Sequence, residues 1–145
     1  MKRRWRKLLT ARDGVVAMEF ALIATPLMLL TLGTIEFSRL LWTQEALDGT
    51  AIQTVRCIGV LAGSCASAGA YSSSSAATYA EQVAAGWGVT ITSSNFTMTT
   101  NEASGACAGL SQVSISYTFS SVVPGLLAIL SSQSLTAQAC FPNQT

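Results

Sequence analysis

Apolar and polar positions follow three rhythms along this chain, and each predicts a different kind of element. From Val15 to Phe37 there is hardly any rhythm: 23 residues are apolar on every side, apart from two carboxylates and three threonines. A helix rising about 1.5 Å per residue over that length covers a bilayer core of about 30 Å with some tilt. Pro26 removes one backbone donor, which predicts a kink or loosened turn near Ala24 to Pro26. Thr25 and Thr31 can bond back to helix carbonyls, so the proline is tolerable in lipid.

After Phe37 the rhythm becomes helical. Leu40, Leu47, Ala51, Val55 and Ile58 recur at spacings of seven, four, four and three, making one apolar stripe, with Gln44, Asp48 and Arg56 near or opposite it. No breaker separates this stripe from the span, so one helix is predicted from about Val15 to about Leu61, roughly 70 Å long, closed by Gly59 and Gly63. Half of it would lie in lipid and half would project outward. The small-residue stretch GSCASAGAYSSSS then reads as a loop. Thr78-Tyr79-Ala80-Glu81 fits a capping box, and a short helix near Ala76 to Ala85 is predicted, burying Tyr79 and Val83 and ending at Gly86.

The third rhythm has a period of two. Val89 and Ile91 alternate with threonines, and Phe96 and Met98 alternate in the opposite phase, which implies a bulge or turn around Ser93 to Asn95. Val113, Ile115, Tyr117 and Phe119 give the clearest strand, and Leu135, Ala137 and Ala139 a weaker one. The predicted class is α+β: a long amino-terminal membrane-spanning helix extending into a small domain with a short helix and an antiparallel three-stranded sheet. Pairing Val113 with Leu135 would set Cys140 opposite Ala108, beside Cys107. That favours Cys107 to Cys140 and Cys57 to Cys65, although four cysteines allow three connectivities. The segment Pro124 to Leu130, PGLLAIL, is unusually apolar for a hairpin loop. It is expected to pack on the long helix or to face another subunit or the membrane surface.

Charge sharpens this picture. The chain has 145 residues, half of them hydrophobic and 10% charged, which suits a membrane or an assembly better than a cytosolic enzyme. Its net charge of +1 is uneven: Lys2, Arg3, Arg4, Arg6, Lys7 and Arg12 all precede Gly14, leaving Arg39 and Arg56 for the rest. Basic residues beside an apolar span stay cytoplasmic, so the amino terminus is expected inside and the carboxyl terminus outside. The four cysteines then fall in an oxidising compartment. An arm for nucleic acid is disfavoured because the apolar run follows so closely. An ordinary signal peptide is disfavoured too, since Thr34 to Arg39 offers no small-residue cleavage site and Glu19 sits badly in an uncharged core. With no histidine and no lysine after Lys7, the serines lack a base and the cysteines lack the usual zinc partners.

Glu19 remains to be explained, because an ionisable group within a span costs about 2.5 to 3.5 kcal/mol on insertion scales. Snorkelling to the cytoplasmic interface is one account of it, and Gly14 could be a simple helix amino-terminal residue. A second account comes from the whole constellation: a basic tail, Gly14, then Val15-Val16-Ala17-Met18-Glu19-Phe20, an apolar span and an outer domain. It resembles type IV prepilins and pseudopilins. More specifically, GVVAMEFALIATPLMLLTLGTIEFSRLLWTQEAL is similar to the amino-terminal motif of the TadE-like family of the tight-adherence (Flp) pilus machinery. The resemblance covers about Arg12 to Arg56.

The resemblance implies residues 1–14 as a basic leader, 15–37 as the transmembrane segment and 38–145 as an extracytoplasmic domain. A prepilin peptidase would cut after Gly14, exposing Val15 as the new amino terminus, and Glu19 with Phe20 would act in assembly. It further implies a non-enzymatic minor structural subunit whose partners are the prepilin peptidase, other pilins or pseudopilins of the apparatus, and membrane lipid. No cofactor, metal, nucleic acid or small-molecule substrate is expected. The place would be the bacterial inner membrane, with the outer domain periplasmic, or extracellular once built into a pilus. The alternative is an unprocessed single-pass adaptor or anchor of an envelope assembly.

Overall fold

The structure, a computed structural model, describes residues 13–122 and 132–143. The basic tail before Asp13 and the segment Pro124 to Leu130 lie outside the described residues. The architecture is α+β. Helix α1 runs Asp13–Gly59, followed by a two-stranded hairpin of β1 (Ala66–Ser67) and β2 (Ala70–Tyr71), then helix α2 (Ser73–Gly86). A single 3-10 turn, Ser93–Asn95, leads into β3 (Phe96–Thr99), and β4 (Ser111–Phe119) and β5 (Gln133–Phe141) complete an antiparallel sheet of order β3-β4-β5. The chain divides into two compact units, one ending at Phe37 and the other beginning at Ser38.

In the first unit α1 continues without interruption through Pro26. Thr25 and Thr34 each donate to the carbonyl four residues back, at 2.8 Å, and Thr31 donates to Met28 at 2.9 Å. These bonds satisfy hydroxyls that lipid could not. The large apolar side chains here are exposed on every side, from Met18 and Phe20 at 70% and 71% to Leu30 at 68%. Among the described residues α1 is the one helix long and apolar enough to cross a membrane, consistent with a single-pass membrane protein.

The second unit is built where α1 becomes one-sided. Leu47, Ala51, Val55 and Ile58 are almost fully buried, with Leu40 partly so, and they join Val113, Ile115, Phe119, Leu135 and Ala137 in one core. Each fully buried Val, Leu or Ile contributes about 1.5 to 3 kcal/mol. The sheet's inward residues match the period-two reading, but one register expectation fails. Val113 stands opposite Ala139, not Leu135, which pairs with Tyr117. The displacement is four residues, an even number, so every side chain keeps its face and the apolar alternation cannot tell the two registers apart. Phe96 pairs with Ile115 and Met98 with Val113 on the same face. Val89 and Ile91 are buried in the core but belong to no ladder, and the 3-10 turn stands where the phase change was expected.

Helix α2 starts earlier than its sequence suggested. Ser72 is the N-cap, accepting from the Ser75 amide, while Thr78 lies inside the helix and donates to the Ser74 carbonyl at 3.0 Å. The serine run supplies a capping oxygen before the expected box does. Ala76, Ala80 and Ala84 form its buried line, with Tyr79 and Val83 half-buried beside them. Gly86 is still helical. The terminator is Gly88 at φ +79°, and its amide and that of Val89 return to the carbonyls of Ala85 and Ala84 as a Schellman motif.

The carboxyl end of α1 uses the same motif with an unusual residue. Ala62 and Leu61 donate to Cys57 and Ile58, and Leu61 takes the left-handed position at φ 51°, at a cost of about 1 to 2 kcal/mol. Gly59, two residues earlier, serves a different need: a β-carbon there would collide with the Phe141 ring and stand 3.0 Å from the Pro142 carbonyl. Ser111, fully buried, donates to Asn143 in the same carboxyl-terminal stretch.

Two stability predictions arise from these contacts. Gly59→Ala should lower the denaturant midpoint, since an overpacking cost of about 1 to 3 kcal/mol exceeds the gain of about 1 kcal/mol in helix propensity. Thr54 is fully buried and its hydroxyl has no partner among the described residues. Thr54→Val should therefore raise the midpoint, by about 1 kcal/mol in equilibrium unfolding.

Candidate processing and assembly site

The residues proposed for processing and assembly occupy the first turns of α1. Gly14, Val15, Glu19 and Phe20 are all exposed. Val15 and Glu19 are four residues apart and therefore share a helix face, separated by about 6 Å along the axis. Among the described residues nothing lies within 4 Å of where a β-carbon on Gly14 would stand, so packing against them does not explain a glycine there. Among the described residues Glu19 has no hydrogen-bond or ion-pair partner. A carboxylate and a large aromatic side by side on an uncovered apolar helix can be satisfied by another chain or by the membrane interface.

The cysteines lie in the second unit. Cys57, in the last turn of α1, is bonded to Cys65 just before β1, with α-carbons 5.9 Å apart and a separation of 8 residues. The bond ties the end of α1 to the small hairpin, whose turn residues Ala68 and Gly69 both have positive φ. Cys107, in the loop between β3 and β4, is bonded to Cys140 in β5, with α-carbons 5.6 Å apart and a sequence separation of 33. Cys140 stands opposite Gln112 in the ladder, so the loop rather than the strand register brings Cys107 within reach. That loop is tied internally: Thr99 donates to the Glu102 carboxylate at 2.6 Å, and the Glu102 amide and carbonyl bond Leu110 and Gly109 at 2.9 Å.

Elsewhere the polar chemistry is dispersed. Among the described residues no three His, Cys, Asp or Glu side chains converge as metal ligands would. An open depression of about 300 Å³ is lined by Tyr71, Ser73, Ser74, Phe96 and Met98. Burial raises the Tyr71 phenol above its ordinary value of 10.0, so it stays neutral there. Sequence reasoning passed over Trp42 and Trp87, which are 45 positions apart and meet in the fold. The only sequence signal was a tryptophan three residues after Arg39, where the apolar span gives way.

A family model described as TadE-like protein matches residues 14–56, which is 43 of the 145 residues. The matched stretch begins at Gly14, contains Glu19 and Phe20, and ends one residue before Cys57. No curated protein and no solved structure matches the chain.

The loop lengths rank the two disulfides. By loop-closure entropy the Cys107–Cys140 bond contributes about 4 kcal/mol and the Cys57–Cys65 bond about 2.5 kcal/mol. The paired variant Cys107→Ser/Cys140→Ser should consequently lose more in urea unfolding than Cys57→Ser/Cys65→Ser, and the reverse order would show that local strain outweighs chain entropy.

Proposed function

We propose that this chain is a pseudopilin-like minor structural subunit of tight-adherence (Flp) pilus biogenesis, processed by a prepilin peptidase after Gly14. The observation that carries the reading is the coincidence of two things over one stretch: the TadE-like match to residues 14–56, and a helix whose large apolar side chains from Val15 to Ile35 are left uncovered. In this reading the span sits in the bacterial inner membrane with the leader cytoplasmic and residues 38–145 periplasmic. Cleavage removes all six basic residues of the leader. The remaining chain has two basic side chains, Arg39 and Arg56, against six acidic ones.

Removal of the leader also gives Glu19 its role. The new α-ammonium of Val15 is a cation that can enter the apolar layer only when paired, and Glu19 of a neighbouring subunit is the matching anion. Without that partner each charge bears its own desolvation penalty. Phe20 beside it supplies apolar contact area to the same packing.

Two substitutions separate processing from assembly. Gly14 has open space around it, so Gly14→Ile leaves the fold intact while placing a branched side chain at the cut. Mass spectrometry of the membrane-extracted protein should find Val15 as the amino terminus in the parent and the intact leader in Gly14→Ile. An intact leader in the parent would favour the unprocessed adaptor. Glu19→Val should be cut normally yet fail to enter the apparatus, and normal incorporation would remove Glu19 from the assembly account.

A further inference from the structure

Within the second unit, a set of polar side chains used neither by the core nor by the assembly face meets between the end of α1 and helix α2. Two adjoining depressions, of about 320 and 340 Å³, lie there and share Ser64 and Tyr79. The first is also lined by Gln53 and Arg56 of α1, the second by Thr78 and Gln82 of α2. Among the described residues none of four groups, the amides of Gln53 and Gln82, the Arg56 guanidinium and the Tyr79 hydroxyl, has a hydrogen-bond or ion-pair partner.

The walls of this groove are fixed by bonds that leave those four groups free. The Cys57–Cys65 disulfide ties the last turn of α1 to the loop that carries Ser64, whose hydroxyl stands 3.4 Å from the Cys57 sulfur. On the facing wall Thr78 donates to the Ser74 carbonyl within α2, and Tyr79 is packed against the core. Groups carried on fixed elements lose little freedom when a ligand arrives, which favours binding.

The chemistry of the lining selects the ligand. In the second depression every lining side chain carries a hydroxyl or an amide, groups that both donate and accept and so match a molecule dense in hydroxyls. An apolar peptide side chain there would strip water from them without replacing its hydrogen bonds. Tyr79, shared by both depressions, supplies an aromatic body with a polar tip, which suits a sugar ring with its apolar C–H face and hydroxyl rim. Arg56 adds a cation, and among the described lining residues there is no carboxylate to neutralise it. A guanidinium takes a carboxylate through two parallel hydrogen bonds.

We propose that this groove binds an acidic saccharide, with a uronate carboxylate on Arg56 in the first depression and a neighbouring ring held by Tyr79, Thr78 and Gln82 in the second. The ligand is held and not cut, since among the described residues the lining lacks the pair of carboxylates that hydrolyses glycosidic bonds. The site belongs wholly to the residue 38–145 unit and is independent of cleavage after Gly14 and of the membrane reading.

Isothermal titration calorimetry on the full chain in detergent micelles tests this, with trimers of galacturonate and of glucuronate, their methyl esters, and the peptide triglutamate as probes. At least one acidic trimer should bind, and its ester, which keeps the rings and loses the charge, should bind about tenfold or more weakly. Arg56→Gln should weaken the acidic trimer by a similar factor and leave the ester unchanged, whereas Gln82→Ala should weaken both. Arg56 and Gln82 are exposed, so both variants should keep the parent's urea midpoint. Failure of both acidic trimers to bind at millimolar concentration, or equal affinity for parent and Arg56→Gln, overturns the proposal. Triglutamate bound as tightly as the trimers overturns it as well, because charge alone would then account for the binding.

Discussion

Everything in this chain depends on one helix changing the way it meets its surroundings. Up to about Ile35 the large apolar side chains of α1 lie uncovered all round, and from Leu47 to Ile58 one face is buried to near zero exposure in a core. A helix apolar on every side is stable in lipid or inside an assembly, and one with a single apolar stripe is stable in water against a sheet. Because the backbone continues through Pro26 without interruption, both demands are met by a single element. Helix propensity contributes little to that switch. It comes from the distribution of side chains around the axis.

The second unit is economical in the same sense. Small residues on both helices, Ala46 and Ala51 on α1 with Ala76, Ala80 and Ala84 on α2, are buried, so much of the buried helix surface carries no large side chain. The core is correspondingly modest, and other constraints add to it. The two disulfides hold the end of α1 to the hairpin and the β3–β4 loop to β5. Phe141 and Asn143 return to Gly59 and Ser111, closing the sheet against the end of the helix. Covalent links of this kind are a common support for small domains whose apolar burial is limited.

Much of this was legible in the sequence, for physical reasons that can be named. The stripe from Leu40 to Ile58 was visible because helical periodicity reports burial directly, and the inward faces of β4 and β5 were visible because strand periodicity does the same. Register was not, since a shift of four residues preserves every face and Val113 can meet Ala139 as well as Leu135. The start of α2 was misplaced because several hydroxyl residues compete to cap it, and Ser72 wins over Thr78. At the opening of the chain Glu19 was conspicuous by its cost, and the structure adds that it has no partner among the described residues. The contact of Trp42 with Trp87 could not be read at all, because only tertiary packing brings them together.

The uncovered first turns of α1 are thus both the most informative sequence and the least satisfied part of the fold, and in this account a second subunit satisfies them. Zero-length carbodiimide cross-linking in native membranes, using a mixture of isotope-labelled and unlabelled protein, measures this most directly. The account predicts an amide joining the Val15 amino group of one subunit to the Glu19 carboxylate of another, recovered as a mixed-label peptide pair. Glu19 recovered unlinked, on chains that still begin with the basic leader, would contradict it.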